Sequence, residues 1–114
     1  MTKEGFKLHI FNKIHPQYEI NKPKSISRVL NISPIKGIKY SIGNDDSKKT
    51  ITLSELEKAY DILVKNCFIS YSIFRDNLKD KRKPCNLRTI MGLLLQLKLI
   101  NEIEKNQFQS NIFK

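Results

Sequence analysis

Residues 86–103, NLRTIMGLLLQLKLINEI, contain the strongest structural signal in the sequence. Apolar side chains recur there at spacings of three and four residues, which predicts one buried stripe along an α-helix. The stripe consists of Leu87, Ile90, Met91, Leu94 and Leu97. Asn86 is a suitable N-terminal cap for this helix. Two extended segments, 100–105 and 107–113, follow the helix and are joined near Asn106, which predicts a terminal β-hairpin.

Two further helices are predicted before this stretch. The pattern TLSE at residues 52–55 is a capping box, in which the threonine hydroxyl accepts from the glutamate amide while the glutamate side chain reaches back. A helix is expected to begin there and to end near Asn66. Its apolar stripe is Leu53, Leu56, Tyr60, Leu63 and Val64. A short extended link at 68–69 leads to a second helix, capped by Ser70 and running to about Lys79 with Ile73, Phe74 and Leu78 on its buried side.

The first half of the chain has the texture of short strands and turns, because brief apolar alternations are interrupted by Pro, Gly, Asn and Asp. Alternation predicts two half-buried strands, one with Phe6, Leu8 and Ile10 and one with Ile38, Tyr40 and Ile42. Residues 26–33 predict another strand, with a helix as the alternative. Turn-forming residues 43–48 precede 49–52, which can pair back on 37–42 as a hairpin.

The order helix, short strand, helix, polar turn, helix and hairpin over residues 51–113 resembles the winged helix-turn-helix family. The junction LLLQLKLINEI at residues 93–103 looks like the passage from the recognition helix into the wing. We therefore expect an α+β fold, with a β-rich N-terminal unit (1–50) followed by a three-helix winged helix-turn-helix with a terminal β-hairpin (51–114). Two features depart from the family pattern: the connector 79–84 is long, and the wing carries Glu102 and Glu104.

The resemblance implies DNA binding, because the third helix of this family enters the major groove and the hairpin touches the backbone or the minor groove. Carried onto this sequence, it implicates four residues of the third helix, namely Asn86, Arg88, Thr89 and Gly92. Arginine can donate two hydrogen bonds to a guanine edge, and asparagine can pair with adenine. The absence of a side chain at Gly92 would allow close approach. The structural alternatives are a plain helix cap for Asn86 and close packing for Gly92.

A basic cluster precedes the third helix and is expected to lie along the phosphate backbone of a bound duplex. It consists of Lys79, Lys81, Arg82 and Lys83. Lys105 at the tip of the hairpin is a weaker candidate of the same kind. The alternative for the cluster is a solvated loop.

Charge composition supports a polyanionic partner. The formal net charge is +10 and the isoelectric point is near 9.7, and such a surface attracts nucleic acid and gains affinity by releasing counterions. The first fifty residues alone carry ten Lys or Arg against four acids. The alternative is that lysine-rich usage reflects AT-biased coding. No apolar run reaches the ~18 to 20 residues of a membrane span, and the N-terminal segment lacks a secretory pattern, so we expect a cytoplasmic protein without a membrane partner.

The sequence favours neither a metal site, nor a cofactor, nor an enzyme. Cys67 and Cys85 are expected to be reduced core residues, and with His9 and His15 they match no zinc-binding spacing. The tripeptide at 46–48, DSK, formally matches an element of metal-dependent nucleases, so a nuclease is a minor alternative.

We therefore predict a non-catalytic protein that binds duplex DNA as a small regulator or as the DNA-contacting part of a larger assembly. The main alternative is a protein-interaction module, with a protein partner or a second copy of the chain, or a phage or mobile-element inhibitor of a nucleic-acid enzyme. Leu93, Leu95 and Phe113 would favour this alternative, because the third helix carries more apolar residues than one buried face needs.

Overall fold

The computed structural model describes residues 1–22, 25–43, 48–78 and 86–112. These ranges form four helices and two antiparallel sheets, which confirms the expected α+β class. In chain order the elements are α1 (Lys3–Lys13), β1 (Glu19–Asn21), β2 (Ile26–Ser33), β3 (Gly37–Ile42), β4 (Lys48–Ile51), α2 (Leu53–Lys65), β5 (Phe68–Ser70), α3 (Tyr71–Leu78), α4 (Leu87–Gln96), β6 (Ile100–Glu104) and β7 (Gln107–Ser110). Within these ranges, no helix has both the length and the apolar character needed to span a bilayer.

The first sheet is an antiparallel meander of strand order β1-β2-β3-β4. It confirms the strand at 26–33, in which Ser27 and Val29 are buried, and the hairpin that returns onto 37–42. Tyr40 lies opposite both Val29 and Lys49, and residues directly opposite in antiparallel strands share one face of the sheet. Because Val29 and Tyr40 are fully buried, this is the face that packs inward.

The second sheet has the strand order β5-β7-β6, so the terminal hairpin closes on the short strand that follows α2. Ile69 pairs with Phe108, and both side chains are buried. Asn106 lies in the β6–β7 turn with φ of 62°, a left-handed conformation that asparagine tolerates better than most residues. The predicted extended link at 68–69 and the predicted terminal hairpin are therefore confirmed. The structure adds that they form one sheet.

Two of the three predicted helix caps, Thr52 and Ser70, are present, whereas Asn86 makes no capping hydrogen bond. The hydroxyl of Thr52 accepts from the amide of Glu55 at 3.2 Å, and the Glu55 carboxylate accepts from the Thr52 amide at 3.1 Å. Ser70 accepts from the amide of Ile73 at 3.3 Å, and α2 ends at Asn66 as expected. The buried face of α2, however, consists of Leu56, Ala59, Ile62 and Leu63, and the predicted member Val64 is exposed.

The strand predicted at Phe6, Leu8 and Ile10 is wrong, because residues 3–13 form helix α1. Phe6 and Ile10 are four residues apart, which is also the spacing of one helical face. Both are fully buried, whereas Leu8 on the other side is 59% exposed. The Thr2 hydroxyl caps the helix by accepting from the Gly5 amide at 3.0 Å. The alternating pattern suits a strand, but burial of Phe6 and Ile10 against α2 stabilises the helix at this segment.

Both halves of the chain contribute to one continuous hydrophobic core. Helix α1 packs on α2, where the rings of Phe6 and Tyr60 meet edge to face with their centroids 5.5 Å apart. Helix α4 packs on β1. The proposed boundary near residue 50 thus coincides with the end of the first sheet, but the two units share their apolar interior.

Candidate nucleic-acid interface

Helix α4, the predicted recognition helix, is covered on more than one side. Six of its ten residues are buried, namely Leu87, Thr89, Ile90, Met91, Leu93 and Leu94. Only Arg88 and Leu95 among its residues are exposed. Packing of α4 on β1 of the N-terminal half covers a second side of the helix, and of the excess apolar residues Leu93 is buried whereas Leu95 is exposed.

Strand β1 lies directly against α4. A β-carbon added at Gly92 would be 2.9 Å from the carbonyl oxygen of Asn21 and 3.2 Å from a methyl carbon of Ile20. One turn further on, the Gln96 amide group donates to the Glu19 carbonyl at 2.9 Å, and its oxygen accepts from the Asn21 amide. Gly92 therefore serves close packing in this structure, and the partner is a strand.

Asn86 is 7% exposed, and its side chain is bonded inside the protein. Its amide nitrogen donates to the Thr50 carbonyl at 2.8 Å and to the Glu55 carboxylate at 2.9 Å. Its oxygen accepts from the Tyr40 hydroxyl. Although Asn86 occupies the N-cap position of α4, its side chain makes no capping hydrogen bond. It ties the start of α4 to the first sheet and to α2, so it is not free to read a base here.

Thr89 is 1% exposed and lies beneath Lys22. Its hydroxyl accepts from Lys22 Nζ at 3.2 Å and is 3.4 Å from the hydroxyl of Ser27, which is also buried. Of the four α4 residues predicted to contact nucleic acid, Arg88 alone extends an exposed side chain. The helix can therefore meet a partner mainly at its N-terminal end.

The sequence also makes predictions for residues outside α4 and for Leu93 on its buried side. The basic cluster Lys79, Lys81, Arg82 and Lys83 lies outside the described residues, and so do Asp46 of the DSK tripeptide, Cys85 and Phe113. Lys105 is exposed in the β6–β7 turn. Cys67 is exposed, so the prediction that it is a core residue is wrong. Leu93 is fully buried.

The fold also gathers cations that sequence reasoning missed. We define the cationic pocket as the three cations that line one cavity, Lys22, Arg75 and Arg88, with the floor residue Thr89 and with Lys49 as a neighbouring charge outside the lining. Lys22, Arg75, Arg88 and Thr89 line an open cavity of about 440 Å³. Lys49 lies on the same inward face of the sheet as Tyr40 and acts electrostatically on Lys22. These residues come from segments up to 67 positions apart, and no local sequence pattern connects them.

Burial lowers the pKa of Lys22 below its ordinary value, and the positive charges of Lys49 and Arg88 lower it further. Among the described residues, Lys22, Lys49 and Arg88 form no ion pair; Arg75 contacts its exposed neighbour Asp76 at 3.2 Å. The pocket is therefore a concentration of positive charge with little neutralisation from the described part of the chain.

Arg88 also borders a second cavity, of about 320 Å³, between α4 and the β6–β7 hairpin. Its other walls include Tyr71, Met91, Leu95 and Glu102. Among the described residues, this cavity, unlike the cationic pocket, has an acidic residue in its lining and Arg88 as its one cation. Arg88 thus borders two cavities of different charge.

Within the described ranges, no three His, Cys, Asp or Glu side chains are grouped so that they could hold a metal ion. Comparisons with protein-family models, with curated proteins and with solved structures gave no match for this chain.

Proposed function

We propose that this chain is a non-catalytic nucleic-acid-binding protein, that residues 51–114 are a winged helix-turn-helix, and that the target is duplex DNA. The observation that carries the proposal is the strand order β5-β7-β6. It joins the short strand after α2 to the hairpin after α4, so that α2, α3 and α4 form a three-helix unit closed by a wing. Arg88 is exposed on the first turn of the third helix of that unit.

The covered face of α4 limits how a duplex can be contacted. Because β1 lies over Gly92 and Gln96, the middle of α4 cannot enter a groove while the first sheet stays docked. We propose contact through the N-terminal end of α4, with Arg88 at a base edge and Lys105 of the wing near the backbone. The basic cluster at 79–83 immediately precedes α4 in sequence and would add phosphate contacts.

The net charge of +10 supports the same partner, since most of the affinity of such complexes comes from phosphate neutralisation and counterion release. A small regulator and a DNA-contacting part of a larger assembly would both have these properties. Of the acidic wing residues, Glu102 does not line the cationic pocket; it lines the second cavity, which it shares with Arg88.

Fluorescence anisotropy with a labelled duplex over a range of salt concentrations tests the proposal. If ~5 to 8 phosphates are engaged, the slope of log affinity against log salt should be about −4.5 to −7. An unbiased selection from random duplexes would then define the preferred site. Affinity that does not change with salt, or the absence of binding at low ionic strength, contradicts the proposal.

A second candidate function is a protein-interaction module, including an inhibitor of a nucleic-acid enzyme or a unit that pairs with its own copy. The observation that favours it is the combination of a covered α4 with exposed apolar side chains nearby. Leu95 and Ile103 are 36% and 50% exposed, and Leu95 lines the second cavity. A pull-down that retains a specific protein after nuclease treatment, together with no duplex binding, would favour this function.

A further inference from the structure

We propose that the cationic pocket binds one phosphate group of a nucleic-acid strand and that both halves of the chain form this site. The inference deepens the proposed function and depends on it for the source of the phosphate. The chemistry recognised is the same for an internal phosphodiester and for a terminal phosphate monoester. No single segment of the chain could supply the site alone.

The floor of the pocket is the buried hydroxyl of Thr89, which lies beside the buried hydroxyl of Ser27. Thr89 Oγ1 lies 3.4 Å from Ser27 Oγ and accepts from Lys22 Nζ at 3.2 Å. Both hydroxyl residues are essentially without solvent contact. An ammonium group has three N–H donors, and Thr89 is the one acceptor of the Lys22 ammonium group in the described part of the chain. Lys22 is therefore anchored by one donor and retains donors for a ligand.

The walls of the pocket supply the remaining charge. Arg75 from α3 and Arg88 from α4 line the same cavity as Lys22, which follows β1. Lys49, from β4, adds a further positive charge that acts on Lys22. Guanidinium groups bind phosphate oxygens through two parallel hydrogen bonds. Three or four cations around one depression repel one another, so an anion bound among them removes an unfavourable interaction and adds hydrogen bonds.

Phosphate binding here would position the duplex relative to Arg88. Lys22 belongs to the N-terminal unit, whereas Arg75 and Arg88 belong to the C-terminal one. A backbone phosphate held by Lys22 and Arg75 leaves the neighbouring Arg88 for a base edge and fixes the distance between a strand and the end of α4. Such contacts set the register and orientation of a protein on DNA. The docking of β1 on α4 then becomes part of the binding surface, in addition to covering the helix.

The first test compares Lys22→Gln with Lys65→Gln. Glutamine at position 22 can still donate a hydrogen bond to Thr89 but has no charge; Lys65 is an exposed lysine near the end of α2 that does not line the pocket. We expect Lys22→Gln to weaken duplex binding about 5- to 10-fold and to make the salt slope shallower by about one. Lys65→Gln should change affinity less than about twofold, and Lys22→Arg should restore binding. Equal effects of the two glutamine variants, with both folded, overturn the proposal.

The second test uses inorganic phosphate as the probe and amide chemical shifts as the measurement. We expect titration to move the signals of Lys22, Arg88 and Thr89 in the wild-type protein, with no comparable shifts from chloride at matched ionic strength or in Lys22→Gln. Shifts at these residues without any duplex binding would retain the pocket and reject the proposed function. If Lys22→Gln binds the duplex as tightly as wild type and inorganic phosphate moves none of these amide signals, the phosphate-binding pocket is rejected and the proposed function is retained.

Duplexes with and without 5′-phosphates distinguish the two sources of the phosphate. Equal affinities, each reduced by Lys22→Gln, assign the pocket to an internal phosphodiester. A preference for the 5′-phosphorylated duplex that disappears in Lys22→Gln assigns it to a strand end. A preference that persists unchanged in Lys22→Gln counts against the pocket.

Discussion

Gly92 of α4 and Asn21 of β1 are in backbone contact, since a β-carbon at Gly92 would lie 2.9 Å from the Asn21 carbonyl oxygen. This contact joins the two halves of the chain along the helix that the family resemblance assigns to DNA. It explains why the helix is apolar on more than one side. The middle of α4 is therefore covered, whereas Arg88 at its N-terminal end is exposed.

Gly92→Ala tests this contact through the sign of its effect on stability. On an open helix face, alanine in place of glycine would stabilise the protein by about 1 kcal/mol. Against β1, the added methyl group requires a backbone shift, and overpacking of this kind costs about 1 to 3 kcal/mol. We expect the free energy of unfolding, measured in urea, to fall by about 1 kcal/mol. A rise would mean that β1 does not rest on α4.

Substitutions at Asn86 should affect stability because its side chain is bonded inside the protein. Asn86→Ala leaves the Thr50 carbonyl and the Glu55 carboxylate without the donor they share, and we expect a loss of about 2 to 3 kcal/mol. Asn86→Asp places a carboxyl group beside Glu55, and two such groups raise the pKa of one of them. The stability deficit of Asn86→Asp should therefore shrink as pH falls below about 5. Urea titrations at pH 7 and pH 4 measure this; a deficit that does not change with pH contradicts it.

The contact between Lys7 and Glu57 should make the α1–α2 packing depend on pH. Lys7 Nζ lies 2.7 Å from Glu57 Oε2. This hydrogen bond is the main reason that the pKa of Glu57 is lowered and that the pKa of Lys7 is raised, the latter with help from Glu4. The stabilisation from Glu57 is present above its ordinary pKa and is lost as pH falls through the lowered one. The stabilisation from Lys7 is present below its ordinary pKa and is lost as pH rises through the raised one.

We therefore expect Lys7→Met to be less stable than wild type at pH 7 and the difference to narrow in strong acid. Urea midpoints between pH 2 and pH 8 would show this. Lys3→Met is the control, because Lys3 pairs with Asp61 at 3.2 Å with both side chains about half exposed, and such surface pairs contribute little. Equal effects of the two variants at neutral pH would mean that the Lys7–Glu57 contact is not formed in solution.

Arg88 and the cluster Lys81, Arg82 and Lys83 should have separable roles in duplex binding. Arg88→Ala should cost ~1 to 3 kcal/mol on the preferred site and flatten discrimination at one base position. Neutralising the cluster should weaken binding to all sequences about equally and reduce the salt slope by roughly one per lost phosphate contact. Affinities for the selected duplex and for a scrambled duplex measure both effects. If the folded variants all keep wild-type affinity, the C-terminal unit does not contact DNA.

Local structure was largely predictable from the sequence. The capping box at Thr52 and Glu55, the strand at 26–33 and the terminal hairpin at Asn106 are all present. Each depends on hydrogen bonds or side-chain periods that extend over only a few neighbouring residues. The apolar excess on the third helix is also evident in the sequence, where it favours the alternative of a protein partner; in the structure α4 packs on the chain's own β1, Leu93 is buried and Leu95 is exposed.

Tertiary packing alone decided which residues of that helix are accessible and which cations meet. The alternation of Phe6, Leu8 and Ile10 suits a strand, and only burial against α2 selects the helix. Asn86 and Thr89 have polar side chains typical of a binding surface, yet partners more than 30 residues away enclose them. Lys22 and Arg88 likewise come together through tertiary packing, since they line one cavity from different halves of the chain. A single sequence shows the period of each element, whereas the contacts between elements follow from how their apolar faces pack together.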